Sequence, residues 1–333
     1  MRFQHLHASH CESGVMSSLL RHHGLALSEP MAFGLSAALA FAYLPFIRLN
    51  GLPLIAYRMP PGAIVRSLDR SLRLGVRYET FRSPAAGMAR LDALLDEGKV
   101  VGLQTSIYWL PYIPPDLRFH FNAHNLLVYG REGDEYLVSD PVGEAPVRCA
   151  RQDLEKARFA KGVLAPKGRL YYLTRQPATG DWHSLGRRAL ARTVHVMLHT
   201  PLPLVGVRGI RWLARAVERL RRTDDDAAAM LYIGHIVRMQ EEIGTGGAGF
   251  RFMYAAFLQE LAATTGYGAL DALAARLVEI GDEWQQLAFA AAKMIKRRIP
   301  FEPPALAARL RDVAAREQHF FQGLNQARLA WAA

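Results

Sequence analysis

Apolar and polar residues follow two different periods along this chain, and the change of period divides it. Up to about residue 175, short strand-like runs interleave with helical segments. An apolar helical pattern starts at Cys11 and runs to about His23, where Gly24 is placed to end it. "MARLDALLDEGK" (88–99) is an amphipathic helix that also stops at a glycine. Strand patterns rich in β-branched and aromatic residues follow at "VVGLQTSIY" (100–108), "HNLLVYGREG" (124–133), "EYLVSDP" (135–141) and "GRLYYLT" (168–174). Between the second and third of these, "REGD" reads as a hairpin turn. The uncharged run Pro30–Ile47 approaches membrane-spanning length. Its two prolines, glycine and serine make it instead a buried helix or loop followed by a strand.

After "TRQPATGDWHS" (174–184), a linker, alanine, leucine and arginine dominate and strand patterns almost vanish. Helical periods appear at about 184–199, 206–222, 226–243, 250–265, 268–297 and 303–329. The expected fold class is therefore α+β: an α/β domain over 1–178 and an α-helical domain over 179–333.

Half of the 333 residues are hydrophobic and about a fifth are charged, as in a soluble globular chain with ample core. The formal net charge of +11 favours an acidic partner: nucleic acid, an anionic membrane face, a phosphorylated ligand or an acidic protein. Two distant cysteines, Cys11 and Cys149, make no disulfide framework, and no CxxC pair suggests structural zinc. The polar, histidine-rich start is not a signal peptide, so a cytoplasmic protein with reduced thiols is expected.

Cys11 stands where a helix begins. There the helix dipole and free backbone N–H groups stabilise a thiolate, although a small buried residue would fit the same place. His124 lies at the entry to a strand, and Asp140 ends the next one before a proline. If those strands pair as a hairpin, the two meet at neighbouring ends, as suits a base and the carboxylate that fixes its tautomer. His120, four residues earlier, is the rival base, and Cys149 reads as a bystander.

Cysteine at a helix start, histidine at a strand start and Asp-Pro at a strand end, in that order, resemble the papain-like fold and its bacterial leader-processing peptidases. More closely, "HCESGVMSSLLRHHGLALSEPMAFGLSAALAFAYLPF" resembles the N-terminal domain of the butirosin biosynthesis protein H family. "GTGGAGFRFMYAAFLQE" (244–260) resembles the helical domain of unknown function that often accompanies it. The family's namesake moves an acyl group from an acyl carrier protein to an aminoglycoside amine. The resemblance thus implies a papain-like N-terminal domain in which Cys11 is nucleophile, His124 general base and Asp140 its orienting partner. Papain-like enzymes commonly carry an oxyanion-hole glutamine about six residues before the cysteine. Here His5 holds that position with Gln4 beside it, so either is a candidate donor, with the Cys11 backbone N–H as the second.

Three functions compete. A cysteine-dependent acyltransferase would take its acyl group from a carrier-protein or coenzyme A thioester and pass it to a small-molecule amine. It needs no cofactor of its own, since the donor carries the phosphopantetheine. A peptidase or amidase would use the same three residues with water as acceptor. A non-catalytic basic module would bind a membrane face or nucleic acid. No nucleic-acid motif or aromatic interleaving appears, so nucleic acid is not expected. Membrane-surface docking is the weaker use of basic helices such as "VGVRGIRWLARAVERLRR" (205–222).

The Gly-rich loop 244–250, with Gly246, Gly247 and Arg251, is a candidate phosphate cradle at a helix start. The cluster of His5, His7, His10 and Cys11, and the pair His195 and His199, lack a convincing second set of ligands. No metal is expected.

Overall fold

A computed structural model describes residues 3–49, 51–178, 180–220 and 226–331. Thr179, where the helical domain was expected to start, and Arg221 and Arg222 of the basic run lie outside the described residues. The chain divides into two compact units: residues up to 32 together with 61–180, and 33–60 together with 181–333.

The first unit opens with α1 (Cys11–His22). Its start is fixed by His10, whose Nδ1 accepts from the Ser13 N–H at 3.3 Å, and its end by Gly24 at φ +88°. Val15, Met16, Leu19 and Leu20 are fully buried on one face of this helix. After α2 (Glu29–Leu35), β1 (Leu39–Leu49) and β2 (Leu52–Arg58), the chain returns to this unit as α3 (Ala63–Leu72). There follow β3 (Val76–Glu79), α4 (Pro84–Asp96), β4 (Val101–Thr105), β5 (His124–Glu132), β6 (Glu135–Ser139), β7 (Val147–Ala150), α5 (Arg151–Arg158) and β8 (Leu170–Leu173). The six strands β3 to β8 form one antiparallel sheet in the order β3-β8-β4-β5-β6-β7. Leu126 and Val128 of β5, Val138 of β6, Leu103 of β4 and Leu170 of β8 pack with Met88 and Leu91 of α4 and Leu154 of α5. Glu132 pairs with Glu135 across a two-residue turn in which Gly133 takes φ +60°, a conformation glycine reaches without strain.

β1 and β2 correct the expected boundary, because residues 33–60 group with the helices and not with the N-terminal domain. Pro53, Ile55 and Tyr57 alternate inward along β2. The rings of Phe41 and Tyr57 pack on Trp284, at 6.2 and 5.6 Å between centroids, and the Tyr43 N–H donates to Leu204 O. The hairpin's apolar face is thus completed by residues far downstream, which no local period reveals.

The rest of the second unit is helical: α6 (Trp182–Val194), α7 (Gly206–Glu218), α8 (Asp226–Glu241), α9 (Arg251–Thr265), α10 (Ala269–Ile295) and α11 (Pro303–Ala330). Its core includes Trp284 of α10 and Phe320 and Phe321 of α11, all fully buried. No described helix is long and apolar enough to cross a membrane.

Candidate active site

Three segments meet at the end of the sheet. α1 presents Cys11 in its first turn, β5 opens on His124, and β6 runs directly into Asp140. The pairing of Leu127 with Ser139 brings the start of β5 beside the end of β6. His124 Nε2 lies 2.7 Å from Asp140 Oδ2. A carboxylate only accepts, so Nε2 carries a proton, and Nδ1 is the ring nitrogen left for the neighbouring Cys11, which helps to raise the ring's pKa. All three residues are buried, Cys11 being 7% exposed.

Burial works against charge on the His124 ring. The Asp140 carboxylate and the hydrogen bonds to Asp140 and Cys11 outweigh it, so the group is held above its ordinary value, at about 10. Asp140 is itself fixed from two more sides. Tyr112 O–H donates to Oδ2 at 3.0 Å, and the Val142 N–H donates to Oδ1 at 3.3 Å. Burial, and then the neighbouring Asp140 charge, keep the Tyr112 hydroxyl protonated and donating.

The approach to α1 is braced by carboxylates. Glu29 accepts from the Ser9 and His10 N–H groups and from Ser13 Oγ, and burial raises its pKa against these hydrogen bonds. Glu12, fully buried beside Cys11, accepts from the Ile64 and Val65 N–H groups in the first turn of α3. Gly14 allows α1 to approach closely, since a Cβ there would lie 2.7 Å from Pro141 Cβ.

Tyr112, Glu12 and Glu29 were not singled out from sequence. Tyr112 sits in the irregular stretch "WLPYIPP", where no period marks a buried hydroxyl. Glu29 directly precedes the uncharged run Pro30–Ile47, and nothing local marks it as a brace for α1.

The oxyanion candidates need correction. His5 Nε2 donates to Gly143 O at 3.0 Å and its Nδ1 accepts from Ser139 O–H at 2.8 Å, so neither nitrogen is left for a substrate oxygen. Gln4 is exposed. His7 donates to the same Gly143 carbonyl. The rival base His120 is exposed and stacks on Tyr108 at 4.0 Å. Burial pushes the Cys149 thiol up to about 12. Among the described residues, no group of three or more His, Cys, Asp or Glu is arranged to hold a metal ion.

The expected phosphate cradle in the second unit is also corrected. Arg251 is fully buried, with Nε and Nη2 donating to the two carboxylate oxygens of Glu317 at 2.8 and 3.1 Å and Nη1 to Gly249 O. Trp284 Nε1–H donates to Glu317 as well. The Gly247 N–H is taken by Thr245 Oγ1 and that of Ala248 by the Glu241 carboxylate. Gly247 and Arg251 therefore belong to a structural network whose donors are already used, and Gly246, at φ +65°, forms the turn that leads into it.

A thiol at a helix start, an imidazole at a strand start and a carboxylate ending the neighbouring antiparallel strand define the first unit as a papain-like, cysteine-peptidase-type α+β domain, here joined to helices. Residues 10–141 match the family model for the N-terminal domain of butirosin biosynthesis protein H, and residues 152–324 match the domain of unknown function DUF4872. The chain belongs to the family that combines these two domains. No curated protein matches it. A solved structure described as a C39-like peptidase from Bacillus anthracis is similar over 53% of this chain and 96% of its own, with 14% identity and a TM-score of 0.38.

Proposed function

We propose that this protein is a cysteine-dependent acyltransferase that carries its acyl group on Cys11. The observation that supports the reading best is the His124 ring, shared between the Asp140 carboxylate at 2.7 Å and the Cys11 thiol at the start of α1. His124 takes the thiol proton, and the thiolate attacks the carbonyl carbon of a donor thioester. The donor's C–S bond breaks, and the leaving thiolate collects the proton from the imidazolium. An acceptor amine then attacks the Cys11 thioester, His124 accepts the amine proton, and the enzyme thiol is regenerated. The Cys11 N–H, in the first turn of α1, is the oxyanion donor of this scheme. Asp140 and Tyr112 hold the ring in the tautomer each step needs.

The donor in this reading is an acyl carrier protein or coenzyme A thioester, which supplies the phosphopantetheine arm. The net charge of +11 suits an acidic carrier. The acceptor is a small-molecule amine, as the family's namesake suggests, and the setting is the cytoplasm, where both cysteines are free thiols. The same three residues serve a peptidase or amidase when water replaces the amine.

Steady-state kinetics with an acyl thioester and a panel of amines test the choice. Acyl transfer predicts parallel lines in double-reciprocal plots and amide product exceeding free acid as amine rises. Release of free acid at a rate independent of every amine would establish hydrolysis instead.

A further inference from the structure

The sheet-bearing unit holds a cleft of about 280 Å³ between the first turn of α3 and the strands β3, β8 and β4. Its floor is neutral and fixed. Tyr171 O–H donates to Asn125 Oδ1 at 3.0 Å. Gln104 Nε2 donates to the Asn122 and Leu164 carbonyls, which turns its Oε1 toward Arg169, whose Nη1 donates to it at 2.9 Å.

The walls carry Arg66, Arg169 and Tyr78. Neither arginine forms an ion pair with a described carboxylate; Arg169 is held only by an uncharged amide, which leaves its charge unneutralised. Arg66 folds back over Gly62 so closely that a Cβ on Gly62 would sit 2.6 Å from its Nη1. Glu12 and Asp69, the carboxylates acting on Tyr78, are engaged by backbone N–H groups: Ile64 and Val65 for the first, Val76 for the second. Burial above all holds the Tyr78 hydroxyl well above its ordinary value, so it remains a neutral donor. Two unneutralised guanidinium groups and a phenol over a neutral floor make a receptor for an oxyanion.

The cleft shares its framework with the candidate active site. Asn125 follows His124, Glu12 follows Cys11 and holds the helix that bears Arg66, and Cys11 lies close enough to buried Tyr171 to interact with it. We propose that this cleft binds the anionic end, a carboxylate or a phosphate, of the substrate whose carbonyl reacts at Cys11. The proposal rests on the nucleophilic role of Cys11.

Affinity labelling tests it. Iodoacetyl amides ending in a carboxylate, a phosphonate or a neutral primary amide, on spacers of one to five methylenes, are compared for their rate at Cys11. Each rate is divided by that of the same probe with 2-mercaptoethanol. At one spacer length an anionic probe should outpace its neutral twin roughly ten-fold, the worth of one charge-assisted contact. That ratio should fall toward one in Arg66→Gln and in Arg169→Gln, and persist in Arg70→Gln, which removes an exposed charge from the same helix. The better of the two anionic ends identifies the oxyanion. Equal rates for anionic and neutral probes at every length, or an equal loss in Arg70→Gln, would overturn the cleft alone. Failure of every probe to label Cys11 ahead of Cys149 would overturn it together with the nucleophile on which it rests.

Discussion

Iodoacetamide at about pH 6.5 will alkylate Cys11 while Cys149 stays essentially unreacted, and His124→Ala will slow the Cys11 reaction by roughly ten-fold. The thiolate is the reacting species, and an ordinary thiol near pH 8.5 is only about 1% ionised at pH 6.5. His124 is held at about 10, so its imidazolium persists through the neutral range and gives a Cys11 thiolate its counter-charge there. A thiolate paired with a cation attacks roughly ten-fold faster than a thiol left without one, the gain in the reactive form being partly offset by its lower intrinsic nucleophilicity. Burial drives Cys149 the other way, to about 12, so it offers almost no thiolate. Near-equal reactivity of the two cysteines, with the circular dichroism of the variant unchanged, would remove the basis for an activated pair.

The second large effect lies in the helical unit. Glu317→Ala will lower the melting temperature by about 10 °C. Arg251, Glu317 and Trp284 are fully buried, and deleting the carboxylate strands a guanidinium in the core. Breaking a buried pair from one side costs about 3–5 kcal/mol, and each kcal/mol shifts the melting point by roughly 2–4 °C at this size. Replacing both partners by apolar residues, Arg251→Met with Glu317→Leu, should recover much of the loss, because no charge is then left uncompensated. Differential scanning calorimetry of the three variants measures this. A melting point unmoved by Glu317→Ala would mean that the network does not hold the helices together.

The two units differ in how much of them the sequence displays. α1, β5 and β6 were legible because their signals are local: an apolar stripe ending at Gly24, and two runs rich in β-branched and aromatic residues around Gly133-Asp134. Once those strands pair, His124 and Asp140 can only meet, so the core of the candidate site followed from chain order. The β1–β2 hairpin was hidden in an uncharged run, since Trp284 covers its apolar face and the Leu204 carbonyl takes the Tyr43 N–H, both more than 140 residues onward. α4 begins four residues ahead of the expected start because Ser83 caps it and Pro84 fills its first turn.

Oxyanion and phosphate sites were misread for a common reason. A histidine near the thiol and a glycine-rich loop before an arginine advertise donors, but not who has already claimed them. In the fold, Gly143 and Ser139 take His5, Glu317 takes Arg251, and Glu241 takes the loop N–H. Satisfaction of buried polar groups is a tertiary property. Tyr112 is the converse case, a hydroxyl in an aperiodic stretch that becomes the second donor to Asp140 only when β6 brings that carboxylate beneath it.

Whether Cys11 carries the acyl group is decided by peptide mapping with mass spectrometry. The protein is mixed with an acyl thioester donor in the absence of amine, quenched in acid and digested. The predicted result is one acyl mass increment on the peptide containing Cys11, removed by hydroxylamine, abolished by Cys11→Ala and absent from the Cys149 peptide. An unmodified Cys11 in a folded protein that still consumes the donor would contradict it.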